Sequence, residues 1–89
     1  MKNKSYVYIL ISLKDKKRYI GSTSNLKQRL IKHNSGQVRS TKHRRPLKLF
    51  AYQECESLSE ARYLEYKYKR SRGNYENAIK LRLIKVFRL

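Results

Sequence analysis

The chain has 89 residues, with 23 Lys and Arg against 6 Asp and Glu, a formal net charge of +17. That length leaves room for one domain, residues 1–89, and excludes a second core. So large an excess of positive charge repels itself in the folded state, which points to a polyanionic partner, nucleic acid, without separating a binder from an enzyme.

The start, Met1-Lys2-Asn3-Lys4-Ser5, leads into a strand pattern with no cleavage-type site, and no apolar run nears the ~18–20 residues of a membrane span. The expected location is the cytoplasm, with no membrane partner. Residues 6–12 are aromatic and β-branched, and their near-continuous apolarity predicts a strand at the centre of a sheet. Alternation puts Tyr6 and Tyr8 on one face, Val7 and Ile9 on the other. Leu13 to Lys17 supplies a turn and residues 18–22 a second strand, so the two form an antiparallel hairpin. Ser24 or Asn25 can cap a helix running to about His33, on which Leu26, Arg29, Leu30 and His33 share a face. Asn34-Ser35-Gly36 stops it, and a basic loop follows over residues 37–46.

Leu47 to Glu54 reads as a third strand, with Leu47, Leu49 and Ala51 facing one way. Ser57 and Glu60 have the capping-box spacing, so a helix should run to about Arg70 or Ser71 and end at Gly73 as its C′ residue. A last helix, roughly residues 75–86, carries Ile79, Leu83 and Val86 on its inner side. The expected fold is α+β, a small three-stranded antiparallel sheet flanked by helices in the order β-β-α-β-α-α.

Glu65 is the sharpest chemical clue. Leu58, Ala61, Glu65 and Tyr68 form one helical stripe, and a carboxylate on that side needs a hydrogen bond, an ion pair or a bound cation. An ion pair with Lys or Arg is the competing explanation. Tyr8 and Tyr19 lie on adjacent strands near Arg29, whose fork suits a phosphate oxygen or, alternatively, Glu65. His33 stands one turn beyond Arg29. Arg39, Lys42, Arg44 and Arg45 in the loop, and Arg62, Lys67, Lys69, Arg70 and Arg72 on the later helix, are candidate phosphate contacts. Cys55 is the single cysteine and His33 and His43 the two histidines, which excludes an intramolecular disulfide and a closed zinc site of these residue types.

Taken together, these residues resemble the GIY-YIG endonuclease family, in its small stand-alone bacterial form. Tyr6-Val7-Tyr8 is similar to the first motif and Tyr19-Ile20-Gly21 matches the second. Arg29 and His33-Asn34 resemble the following helix, Thr41-Lys42 to Leu49 the small members, and Ser59 to Glu65 with Lys69 the metal-binding helix. Two positions depart from the pattern: Tyr6 stands where the namesake glycine belongs, and Ser22-Thr23 replaces a lysine found in several relatives. The resemblance implies a divalent-metal-dependent DNA endonuclease, with Glu65 holding one Mg²⁺ or Mn²⁺ ion, Tyr19 as general base, Tyr8 as the residue that could share that duty, and Arg29 on the scissile phosphate. His33 joins that catalytic set. The alternative is a non-catalytic nucleic-acid-binding module with the same fold.

Overall fold

The computed structural model describes residues 4–71, 73, 76, 79, 85 and 86. Strands β1 (Ser5–Ser12) and β2 (Arg18–Thr23) form the expected antiparallel hairpin, with Tyr8 opposite Gly21 and Leu10 opposite Tyr19. Helix α1 (Leu26–Asn34) follows, capped by the Asn25 side chain, which accepts from the Gln28 amide. It ends at Ser35, and Gly36 takes a φ of 82°, the left-handed conformation that glycine adopts without strain. The basic segment contains a single 3₁₀ turn (Lys42–Arg44) before β3 (Leu47–Cys55), and α2 (Leu58–Arg70) starts from a Ser57 cap that accepts from the Glu60 amide.

The three long strands make an antiparallel sheet with β1 in the middle, which explains why Val7, Tyr8, Ile9 and Leu10 are all buried. Its two faces carry separate cores. Val7, Ile9, Ile20, Ala51 and Cys55 pack with Ala61 and Tyr68 of α2, whereas Tyr8, Leu10 and Leu47 pack with Leu26 and Leu30 of α1. Asn34 fastens the end of α1 to the start of β3: its side chain donates to the Leu47 carbonyl at 2.9 Å and accepts from the Leu47 amide at 2.8 Å.

Three local expectations are corrected. Ile9 pairs with Ala51 but Leu10 pairs with Leu49, so Phe50 is an extra residue in β3. This bulge reverses the alternation and moves Ala51 to the α2 face, away from Leu47 and Leu49. Next, α2 ends at Arg70 with Ser71 extended, and Gly73 is helical rather than a C′ terminator. Finally, Lys85–Val86 is not helical but forms β4, which pairs antiparallel with β3 at Tyr52 and Ala51. Glu76 and Ile79 are helical as expected, and Ile79 packs against the α2-side core. Leu83 and most of the expected helix over residues 75–86 lie outside the described residues.

Gly21 sets how closely β2 approaches the ring of Tyr8. A Cβ built there would stand 2.5 Å from the Tyr8 hydroxyl oxygen and 2.6 Å from its Cζ. Because that ring is fully buried, it has no free space to yield into. Gly21→Ala is therefore expected to cost about 3 kcal/mol by overpacking. Thermal unfolding followed by circular dichroism should show a midpoint lowered by about 10 °C or more. Gly73→Ala, whose Cβ meets nothing closer than Ser71 Oγ at 3.5 Å, should leave the midpoint unchanged or raised. A Gly21→Ala protein as stable as the parent would refute the close approach.

Candidate active site

A buried phenol organises the α1 side of the site. Tyr8 is 0 % exposed, so its hydroxyl needs partners inside the protein. His33 Nε2 lies 2.9 Å away, and Arg29 Nε donates to the same oxygen at 3.3 Å. His33, also fully buried, places Nδ1 2.8 Å from Thr41 Oγ1, which in turn faces the Val38 carbonyl at 3.4 Å. One assignment of protons satisfies the whole chain. Arg29 donates to Tyr8, Tyr8 donates to His33 Nε2, His33 Nδ1–H donates to Thr41, and Thr41 donates to Val38.

That assignment requires a neutral imidazole. Burial, with the Arg29 charge adding to it, pushes the His33 pKa down to about 4. Burial also raises the Tyr8 pKa, and the hydrogen bond from Arg29 only partly offsets it. The same bond is the largest reason that Arg29 is raised above its ordinary value. Tyr8 is thus held as a neutral donor, with Arg29 a fixed cation beside it.

Tyr19 is half-buried and closes the cluster toward solvent. Its ring centroid is 5.1 Å from that of His33 and 6.5 Å from that of Tyr8. On its outer side the Lys69 ammonium of α2 stands 5.9 Å from the ring centroid. Lys69 also pairs with Glu65 Oε2 at 2.6 Å, and Ser22 Oγ donates to Glu65 Oε1 at 2.5 Å. Since β2 is the outer strand of the described sheet, the site straddles a sheet edge. Tyr8, Tyr19, Arg29 and His33 gather on the α1 face, and Glu65 reaches the same edge from the α2 face through Ser22 and Lys69. A surface hollow of about 500 Å³ runs along this edge between Lys16, Tyr19 and Lys69.

Glu65 pairs with Lys69, one helical turn on, whereas Arg29 bonds to Tyr8. The side chains of the site offer a divalent cation few donors. Among the described residues no group of three or more His, Cys, Asp or Glu side chains gathers. Glu65 is a single half-buried carboxylate whose oxygens already attract a hydroxyl proton and an ammonium, a donor suited to a hard cation otherwise bound by water and phosphate oxygens.

The predicted phosphate contacts divide into two kinds. Arg39 and Lys42 are exposed, but Arg44 is held by Asp15 at 2.8 Å, and Arg45 Nε donates to the Lys42 carbonyl. That pair lowers the Asp15 pKa to about 2 and ties the basic loop to the β1–β2 turn, where Ser12 donates to the Arg44 carbonyl. Lys69 belongs to the edge itself, Arg70 lies against Tyr66, and Arg72 is outside the described residues.

Sequence reasoning missed two residues, Ser22 and Thr41. Ser22 figured only as a replacement for a lysine, yet its hydroxyl orients Glu65. Thr41 was one residue of a basic loop, yet it is fully buried and orients His33. The available signal was slight: Ser22 is one of the two hydroxyl residues at the end of β2, and Thr41 is a small uncharged residue before a basic triplet.

The geometry agrees with the kinship of the chain. A family model described as the GIY-YIG catalytic domain matches residues 4–79. The UPF0213 protein of Syntrophus aciditrophicus is 42% identical over 85 residues, covering 93% of this chain and 92% of its own. A UPF0213 protein of Staphylococcus saprophyticus is 37% identical over 83 residues, covering 92% and 95%. The solution NMR structure of a UPF0213 protein from Bacillus halodurans superimposes with a TM-score of 0.52 at 36% identity, over 90% of this chain and 86% of that one. With its two tyrosine motifs on adjacent strands and its catalytic-domain match running across nearly the whole chain, this protein belongs to the GIY-YIG family.

Proposed function

We propose that the protein is a divalent-metal-dependent endonuclease that hydrolyses phosphodiester bonds of DNA. Membership of a family defined by a catalytic domain supports a nuclease-type activity. The observation that carries the finer reading is the meeting of a phenol, a guanidinium and a carboxylate around one sheet edge. In this reading Arg29 holds the scissile phosphate, its charge lying where negative charge grows in the transition state. Tyr19, the more accessible phenol, accepts the proton of the attacking water. Tyr8 keeps its own proton on the bond to His33 and acts by positioning Arg29. The P–O3′ bond breaks, leaving a 5′-phosphate and a 3′-hydroxyl. Glu65 would hold one Mg²⁺ or Mn²⁺ ion once Lys69 releases it, and the chemistry such an ion supplies is Lewis-acid stabilisation of the phosphate and leaving oxygens.

The rival reading, a binding module with the same fold, is favoured by one observation: Lys69 already occupies Glu65 Oε2. A panel of end-labelled single-stranded, duplex and branched DNAs, incubated with and without Mg²⁺ or Mn²⁺, separates the two. Metal-dependent product is expected, reduced on the order of 10²-fold or more in Glu65→Gln and in Arg29→Lys, with unchanged thermal midpoints. Salt-sensitive binding by the parent with no product on any substrate would establish the binding module instead.

The buried relay also gives a pH dependence of stability. In the unfolded chain His33 titrates near 6.5, and in the folded protein near 4. The folded value is the lower, so the unfolded state binds the extra proton between these values. The neutral ring's contribution is full above pH 6.5 and is lost as pH falls to 4, on the order of 3 kcal/mol in all. The Asp15–Arg44 pair acts in a different window, between the ordinary carboxylate value of 3.8 and about 2. Urea unfolding from pH 7 to pH 4 should show a falling stability in the parent and a much flatter profile in His33→Gln. An equally steep decline in the variant would assign the dependence to another group.

A further inference from the structure

We propose that the outward stripe of α2 formed by Tyr63, Tyr66 and Arg70 is a stacking surface for unpaired bases of a DNA strand that passes the β2 edge. The direction of that strand rests on the nuclease reading of the edge, whereas the capture of unpaired bases rests on the stripe alone.

Tyr63 is 62 % exposed and Tyr66 60 %, on a helix whose opposite side buries Ala61 and Tyr68. Spaced three residues apart, the two rings share one face of the helix. The Arg70 guanidinium lies 5.6 Å from the Tyr66 ring centroid and donates to the Tyr66 hydroxyl at 3.5 Å, which restrains that ring. Between them is a shallow hollow of about 450 Å³, bordered also by Lys67. Flat rings next to cations are what successive nucleotides need, each base finding a π-face and each phosphate a positive charge. At 100° per residue, Glu65, Lys69, Tyr66, Arg70 and Tyr63 follow one another around α2 in steps of about 60° or less. A strand cut at the edge therefore passes Lys69 and reaches the tyrosines without crossing the core.

The occupant is single-stranded because a duplex hides its base faces in the stack and presents only edges in its grooves. A second copy of this chain fits less well, because pairing two such stripes would bring Arg62, Lys67 and Arg70 against their own counterparts.

The test is binding measured in EDTA, so that no strand is cut. Fluorescence anisotropy would compare labelled oligo(dT) with an abasic oligonucleotide of equal length, at one fixed salt concentration. The parent should prefer oligo(dT) by about tenfold or more. Tyr63→Ala combined with Tyr66→Ala should abolish that preference, while the corresponding double change to Phe should keep it. Equal binding of the two ligands by the parent, or an undiminished preference in the alanine variant, overturns the proposal. Tighter binding of oligo(rU) than oligo(dT) overturns the assignment to DNA, and a dimer in sedimentation that the alanine variant dissociates replaces it with self-association. Because no metal or cleavage enters the readout, a protein that never cuts DNA could still show the preference, so the two readings fail separately.

Discussion

Everything on the α1 side of the sheet depends on the Tyr8 ring lying across Gly21 with its hydroxyl sealed from water. A phenol placed there without partners would be costly, so its position dictates what its neighbours must be. His33 supplies an acceptor and Arg29 a donor, which fixes the rotation of α1 about its own axis. His33 in turn needs an acceptor for its second nitrogen, and Thr41 brings the basic loop in to provide one. One buried hydroxyl thus links a strand, a helix and a loop that are far apart in sequence.

The charge distribution explains how a chain with net charge +17 can hold together and still attract an anion. Of its acids, Asp15 is joined to Arg44, Glu56 to Lys4 and Glu65 to Lys69, each at a junction between elements or within a helix turn. The first two pairs are partly exposed and so hold geometry more than they add stability. Glu65 is different in kind, since its carboxylate sits half-buried beside the tyrosine cluster and must keep a cation or donor near it. Lys69 fills that requirement in the structure.

What could be read from the sequence followed the strength of each local signal. The hairpin, α1 and α2 announced themselves by period and by capping residues, and Tyr8, Tyr19, Arg29, His33 and Glu65 stood out as chemistry at regular spacing. The side of the sheet that Ala51 faces is not legible in the sequence, because a bulge adds one residue without any compositional mark. Glycine after a basic helical turn is the usual sign of a terminator, whereas α2 already ends at Arg70 and Gly73 is itself helical. β4 is two residues long, too short for alternation to show, and its pairing with β3 is purely tertiary. Ser22 and Thr41 were hidden for another reason: a hydroxyl gains its meaning from the group it meets across space.

The edge position of the site follows from the two-faced core. A sheet with apolar clusters on both sides has no interior room for a phosphate, and a cleft cut into either face would expose Val7, Ile9 or Leu10. At the outer strand, side chains from both faces converge with no such exposure. Tyr19 comes round from the α1 side and Glu65 from the α2 side, with Ser22 on the strand between them. The cost is that the site is shallow and shares its boundary with bulk water. Preorganisation must then come from what stands behind it, which is the buried Arg29–Tyr8–His33–Thr41 chain rather than an enclosing pocket. A small domain with a thin core can in this way hold a fixed guanidinium at its surface, provided the residue opposite Tyr8 remains glycine.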